Sequence, residues 1–296
     1  MGWLPGTARD TVSAMNSPSH GASQGAGACF ICVTCGSQFS PSLAAPASCP
    51  ICLDERQYVG HEGQEWTTLA DMGAGNWRNA LHEQEANLMG IGTEPKFGIG
   101  QRALLVQTAG GGNVLWECVS FLDETTIRAV RDLGGISAIA ISHPHYYSSM
   151  IEWSRAFGDA PIFLHEADRM WVQRPDPAIE FWSGESKIIG DGLTLIHTGG
   201  HFEGFQVLHW RDGAGGSGAL LSGDQPQVCA DPRWVSFMRS YPNYIPLGAR
   251  EVGAITAALE PWKFDRLYGA FWSSVVARDA QEVVRRSAER YLHWIR

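Results

Sequence analysis

Residues 136–141 form an almost unbroken apolar run, Ile-Ser-Ala-Ile-Ala-Ile, that stops at Ser142-His143-Pro144-His145. Such a run alternates too little for a half-exposed strand. It predicts a central strand covered on both faces and ending before Pro144, which has no N–H to offer a ladder. Other short apolar runs bounded by glycine or polar residues read as strands at 66–69, 103–108, 113–119, 161–164, 193–197, 207–210, 219–221 and 264–268. The glycines at 110–112 and 213–218 are the turns of two hairpins. Between the strands, Asp123 is placed to cap a helix over 124–133 that Gly134-Gly135 stops. Ser148 or Ser149 can cap a second helix reaching about 157, His165-Glu166-Ala167-Asp168 opens a third, and two more are expected near 247–260 and 278–294. From about Gly60 onward the chain therefore reads as alternating strands and helices, a layered α/β domain over 60–296.

The segment before it has a different composition. Residues 1–28 are rich in Gly, Ala and Ser with no apolar period, and they are expected to stay disordered because they cannot bury enough surface to offset their ordering entropy. Five of the seven cysteines then fall within 29–59. Cys32-Val-Thr-Cys35 and Cys49-Pro-Ile-Cys52 are two knuckles whose separation can bring four thiolates into a tetrahedron, resembling a zinc ribbon or rubredoxin-like pair. Cys29 lies outside that register. A four-cysteine site holding structural Zn²⁺ has no open coordination position, so it is expected to serve folding rather than turnover, and to clip a segment too small for a core of its own.

Length and 44% hydrophobic content suffice for a large packed core. No run approaches the roughly 20 apolar residues that span a bilayer, and no apolar signal segment opens the chain, so a cytoplasmic location without a membrane is expected. A formal net charge of −9 argues against nucleic acid as a partner. The glycines follow no nucleotide-loop spacing. A small-molecule substrate is the expected partner, with a homo-oligomer left open.

Candidate chemistry gathers at three strand ends. His143 and His145 flank a proline, His201 follows Leu193-Thr-Leu-Ile-His197-Thr-Gly-Gly, and Asp224 follows Ala219-Leu-Leu-Ser-Gly. These three stretches resemble the HxHxDH loop, the later histidine and the Asp after Ser-Gly of the metallo-β-lactamase superfamily, over roughly residues 61–296. The resemblance implies a four-layer αββα sandwich and a metal held by His143, His145, His201 and Asp224. It also shows departures. Tyr147 and Ser148 stand where the family supplies an Asp and a His to a second metal, and Tyr268-Gly-Ala-Phe-Trp272 stands where it usually has Gly-His. One catalytic metal is therefore expected.

With Zn²⁺ at this centre, the implied activity is hydrolysis of an activated ester, lactone or thioester, since the three-histidine set leaves an open position for water. Asp224 would ligate the metal or accept a proton. Tyr147 would donate to a developing oxyanion or fill the vacated second site. A two-His-one-carboxylate reading of the same residues would instead hold Fe²⁺, as in the superfamily's persulfide dioxygenases. A non-catalytic binding protein with a vestigial site is the third reading. His165 is a competing ligand candidate and His197 a residue that could orient the site from outside, while His209 is expected to pack or hydrogen-bond in its hairpin.

Overall fold

The computed structural model describes residues 27–295. Two sheets stack face to face. The first contains β1 (Arg78–Glu85), β2 (Leu88–Glu94), β3 (Arg102–Val106), β4 (Val114–Trp116), β5 (Ala138–Ala140), β6 (Ile162–His165) and β7 (Ile179–Trp182), in sequential order. Its first four strands form an antiparallel meander, and from β4 onward the pairing is parallel. The second contains β8 (Ser186–Gly190), β9 (Leu193–His197), β10 (Gln206–Trp210), β11 (Ala219–Gly223), β12 (Arg266–Gly269) and β13 (Val275–Val276).

Alternate side chains of the same strands build separate layers, as the period-2 geometry of a strand requires. Leu104, Val106, Leu195, Leu208 and Leu221 meet between the sheets. Leu105 and Ile139 face outward and are covered by α1 (Glu124–Asp132) and α2 (Met150–Ala156) through Val130, Ile151 and Trp153. On the other side, Val207, Leu220 and Leu267 lie under α3 (Ala249–Leu259) and α4 (Ala280–Trp294) through Val252, Ile255 and Val284. Helix, sheet, sheet, helix is the αββα sandwich. It explains why the strands read as near-continuous apolar runs, because both faces of each sheet are covered.

Several sequence expectations are met in detail. The Asp123 side chain accepts from the Thr126 N–H at the start of α1, and Gly134 and Gly135 take the left-handed conformation after it. Other elements differ. The apolar 66–69 stretch is a strand only at Trp66–Thr67, and Thr68 then caps a helix over Leu69–Ala74. The stretch after His165 is a 3-10 helix, Glu166–Trp171. Strands β1, β2, β7 and β8 had no clear signal in the sequence. Polar residues fill β1, and β1, β7 and β8 are partly exposed edge strands that need little apolar content, while two glycines interrupt the apolar pattern of the interior strand β2.

Most of 1–28, the segment expected to be disordered, lies outside the described residues. Ala28 is within them and exchanges backbone hydrogen bonds with Ser42. The cysteine segment that follows docks on the sandwich. Ile31–Cys32 pairs with Trp66–Thr67, the Ser120 hydroxyl donates to Gly36 O at 2.8 Å, and Gln38 N–H donates to Ser148 O at 3.0 Å. No helix of the described residues is long and apolar enough to cross a membrane.

Candidate metal centre

The strand ends place the chemistry. His143 and His145 leave β5 through a short turn over Pro144–Tyr146, His201 lies on the loop from β9 to β10, and Asp224 follows β11. All four are buried, and one donor atom from each lies within 4.8 Å of the others. His145 Nδ1 is 3.4 Å from His201 Nε2, and His143 Nε2 is 3.4 Å from Asp224 Oδ2. Tetrahedral coordination at about 2.0–2.1 Å separates neighbouring nitrogen donors by about 3.4 Å. His143 Nε2 has no hydrogen-bond partner although it is buried, a costly state for a polar atom unless a ligand takes it up. The residues fit a metal ion.

The surroundings prepare the donors. His201 Nδ1–H donates to Met238 O at 3.0 Å, which directs the Nε2 lone pair into the cluster. His143 Nδ1 lies 2.7 Å from the Ser142 hydroxyl. Phe202 and Phe205 wrap the rings. Burial in this apolar shell holds all three imidazoles below their ordinary range, His201 down to about 3. They are therefore neutral, the form that ligates. Asp224 goes the other way. Burial alone would raise its carboxyl, but the contact with His143 and the bond from the Tyr146 hydroxyl outweigh it and hold it below the usual carboxylate range.

Of the two adjacent tyrosines it is Tyr146 that reaches the ligands: its hydroxyl donates to Asp224 Oδ1 at 2.5 Å, and from another loop the Tyr241 hydroxyl donates to Asp224 O at 2.7 Å. This corrects the choice of Tyr147. Because Tyr146 lies within the turn that carries His145, its ring comes to face His143 at 4.6 Å. Tyr147 instead packs in the core under α2 and against the cysteine segment, sharing a crevice with Ser37, Gln38, Ile51 and Ser148. The Ser148 hydroxyl donates to Cys118 O and accepts from Gln101. The other histidine candidates are elsewhere. His165 stacks on His197, centroids 3.8 Å apart. His197 Nε2 meets Glu203 O at 2.8 Å, and His209 meets Lys263 O at 2.8 Å.

Sequence reasoning missed the groups around the ligands. Gln225, next to Asp224, accepts from His201 N–H and donates to Gly199 O. Glu117, just past β4, is fully buried and takes φ 65. Its Oε2 accepts from Ser142 N–H while Oε1 has no partner. A Cβ on Gly223 would lie 2.7 Å from both Glu117 Oε1 and Ser142 Oγ, so the Gly223 before Asp224 lets this carboxyl sit beside the metal loops. Burial pushes Glu117 up to about 8, with the Asp224 charge adding to it. The folded state therefore keeps a proton that an unfolded Glu releases near 4.3, so this group's contribution to stability is full below that pH and is lost as pH rises toward 8. Glu117→Gln, which mimics the protonated form, should remove this fall. Comparing urea midpoints at pH 6 and 8.5 at fixed metal content, the variant is expected to gain on wild type by about 1–3 kcal/mol at the higher pH. A wild-type slope equal to the variant's would contradict a buried neutral carboxyl.

The four cysteines Cys32, Cys35, Cys49 and Cys52 form a second cluster. The sulfurs of Cys32 and Cys52 are 3.6 Å apart and those of Cys35 and Cys49 3.7 Å. Four thiolates at about 2.3 Å from one ion are separated by about 3.8 Å, and bonded sulfurs by only about 2.0 Å, so this is a metal knuckle and not a disulfide pair. Gln64 donates to the Cys32 sulfur at 3.2 Å. Cys29 stays outside the cluster.

The cysteine segment and the His/Asp centre meet at one cleft of about 190 Å³. His145, His201 and Asp224 line one side, Thr34, Arg56, Gln57 and Tyr58 come from the cysteine segment, and Lys96 and Tyr241 complete the rim.

No protein-family model matches the chain. The metallo-β-lactamase DIM-1 superposes with a TM-score of 0.54 at 11% identity, covering 73% of this chain and 98% of that one. The metallo-β-lactamase FIM-1 from Pseudomonas aeruginosa in its mono-zinc form gives 0.53 at 14% identity, over 72% and 95%. In sequence, the uncharacterized protein YmaE of Bacillus subtilis (strain 168) is 53% identical over 264 residues, 89% of this chain and 95% of that protein. With that identity over nearly both lengths, and with the sandwich and its ligand cluster in place, the chain belongs to the family of YmaE and has the metallo-β-lactamase fold.

Proposed function

We propose that the protein is a metal-dependent hydrolase with a single metal at His143, His145, His201 and Asp224, acting on a small activated ester, lactone or thioester. The observation that supports it most is the set of four buried donors within 4.8 Å of one another, opening onto a cleft. A Zn²⁺ ion on the three histidines, with Asp224 beside it as a further oxygen donor or as proton acceptor, would keep a position for water and would supply Lewis acidity and a lowered water pKa. The protein's own groups supply the rest. Asp224 is ionised, with one oxygen tied to Tyr146 and Oδ2 facing His143, where it would either ligate the ion or receive a proton from an attacking water. Tyr146 is buried beside that carboxylate and held well above its ordinary range, so it keeps its proton and steadies the charge on Asp224. The cleft volume is below the roughly 300–1,000 Å³ of pockets that bury drug-sized ligands, which favours a small acyl group.

The test combines metal analysis with turnover on a small lactone, an aryl ester and a thioester. Two ions per chain are expected, one for each cluster, with turnover on at least one substrate falling about 10²–10⁴-fold in Asp224→Asn. Zinc-loaded wild type that turns over none of the three substrates would rule the proposal out. Iron at the His/Asp centre in protein purified without added metal would favour the oxidoreductase reading of the same donors.

A further inference from the structure

The cysteine segment is joined to the His/Asp centre by one buried side chain. Arg56 is 4% exposed and makes a two-pronged contact with Asp54, Nε to Oδ1 at 2.6 Å and Nη2 to Oδ2 at 3.0 Å. Its Nη1 reaches the loop of the metal ligand His201, donating to His201 O at 3.4 Å and to Glu203 Oε2 at 3.1 Å. The guanidinium lies 3.9 Å from the centroid of Phe202, within stacking distance. That ring in turn packs on His143, His145 and His201. Arg56 lies shortly after Cys52, and the same turn is held from the other side by Asn243, which donates to Glu55 O and Gln57 O.

We propose that Arg56 is a positioning residue through which the four-cysteine centre fixes the His201 loop, so that the thiolate metal sets the geometry of the His/Asp metal site. The thiolates hold the turn over 53–58, the turn holds Arg56, and Arg56 holds both the backbone of His201 and the ring that spaces the three imidazoles. A planar guanidinium suits the task because it can donate to two carboxylates in its plane and stack a ring on its face, which an ammonium cannot do. The inference rests on the metal-site reading above, but its test does not depend on hydrolysis.

The full-length protein would be produced in cobalt-supplemented medium and titrated with a chelator. Thiolate charge-transfer absorbance reports the ion at the cysteines, and the weaker visible bands report the His/Asp ion. Arg56→Ala is expected to leave the thiolate bands unchanged while the His/Asp cobalt is released about 10–100-fold more readily, the usual cost of losing an outer-shell partner of a ligand. Arg56→Gln, which keeps an amide donor and much of the volume, should show the same selective loss to a smaller degree, and it decides the matter if Arg56→Ala does not fold. Equal release from wild type and folded variant would overturn the proposal. Wild type that binds both ions and hydrolyses nothing would sink the hydrolase reading and leave this inference standing.

Discussion

Replacing His201 by alanine should empty the His/Asp centre while leaving one ion per chain at the cysteines. Nε2 of His201 is one of four donors, and the same residue's N–H and Nδ1–H tie the loop to Gln225 and Met238. Losing the ring removes a ligand together with its anchor on Met238 O, while the backbone N–H to Gln225 remains. The affinity of the site should therefore fall by more than the roughly 10–100-fold that an outer-shell change costs, and turnover should fall to the metal-free background. Folding should survive, because the core clusters between and outside the sheets do not depend on this side chain. Metal counts on purified, folded His201→Ala decide the outcome. A value still near two would place the second ion somewhere other than this cluster.

The second large effect is expected from Cys49→Ser. A structural thiolate site contributes about 10–16 kcal/mol of apparent binding free energy, comparable with the roughly 5–15 kcal/mol that holds a whole domain folded. The segment's own apolar core is small: Phe39 and Ile51 around the four sulfurs, with Trp66 edge-on to Phe39 at 4.9 Å. Without the ion that core cannot hold residues 29–59, and limited proteolysis should cut there first. The sequence had suggested that the loss would be confined to stability. The docked structure implies a second consequence, because Thr34, Arg56, Gln57 and Tyr58 line the cleft, and unfolding the segment strips that wall away. Turnover should drop along with stability, by about tenfold or more if Arg56 acts as inferred. Intact protease resistance and undiminished turnover in Cys49→Ser would show that the segment is held by its protein contacts alone.

What the sequence determined by itself was whatever is encoded locally. Apolar runs with strand period marked the central strands, Asp123 and the glycines after α1 marked a helix, and Cys-X-X-Cys spacing marked the thiolate cluster. His143, His145, His201 and Asp224 were legible because each follows an apolar run, and a strand end is where a sandwich of this kind delivers its side chains to one edge. Choosing between Tyr146 and Tyr147 was not a local matter. Adjacent residues in a turn point in different directions, and only the path of the chain after Pro144 sends one hydroxyl to Asp224 and the other ring into the core. Glu117 looked like an ordinary polar residue at a strand end, and its buried, protonated state arises from three loops closing over it. Arg56 carried no signal at all. Its partner Glu203 lies 147 positions away in the chain, with Phe202 beside it, and their meeting depends on how the cysteine segment docks, a packing event that no periodicity or spacing records.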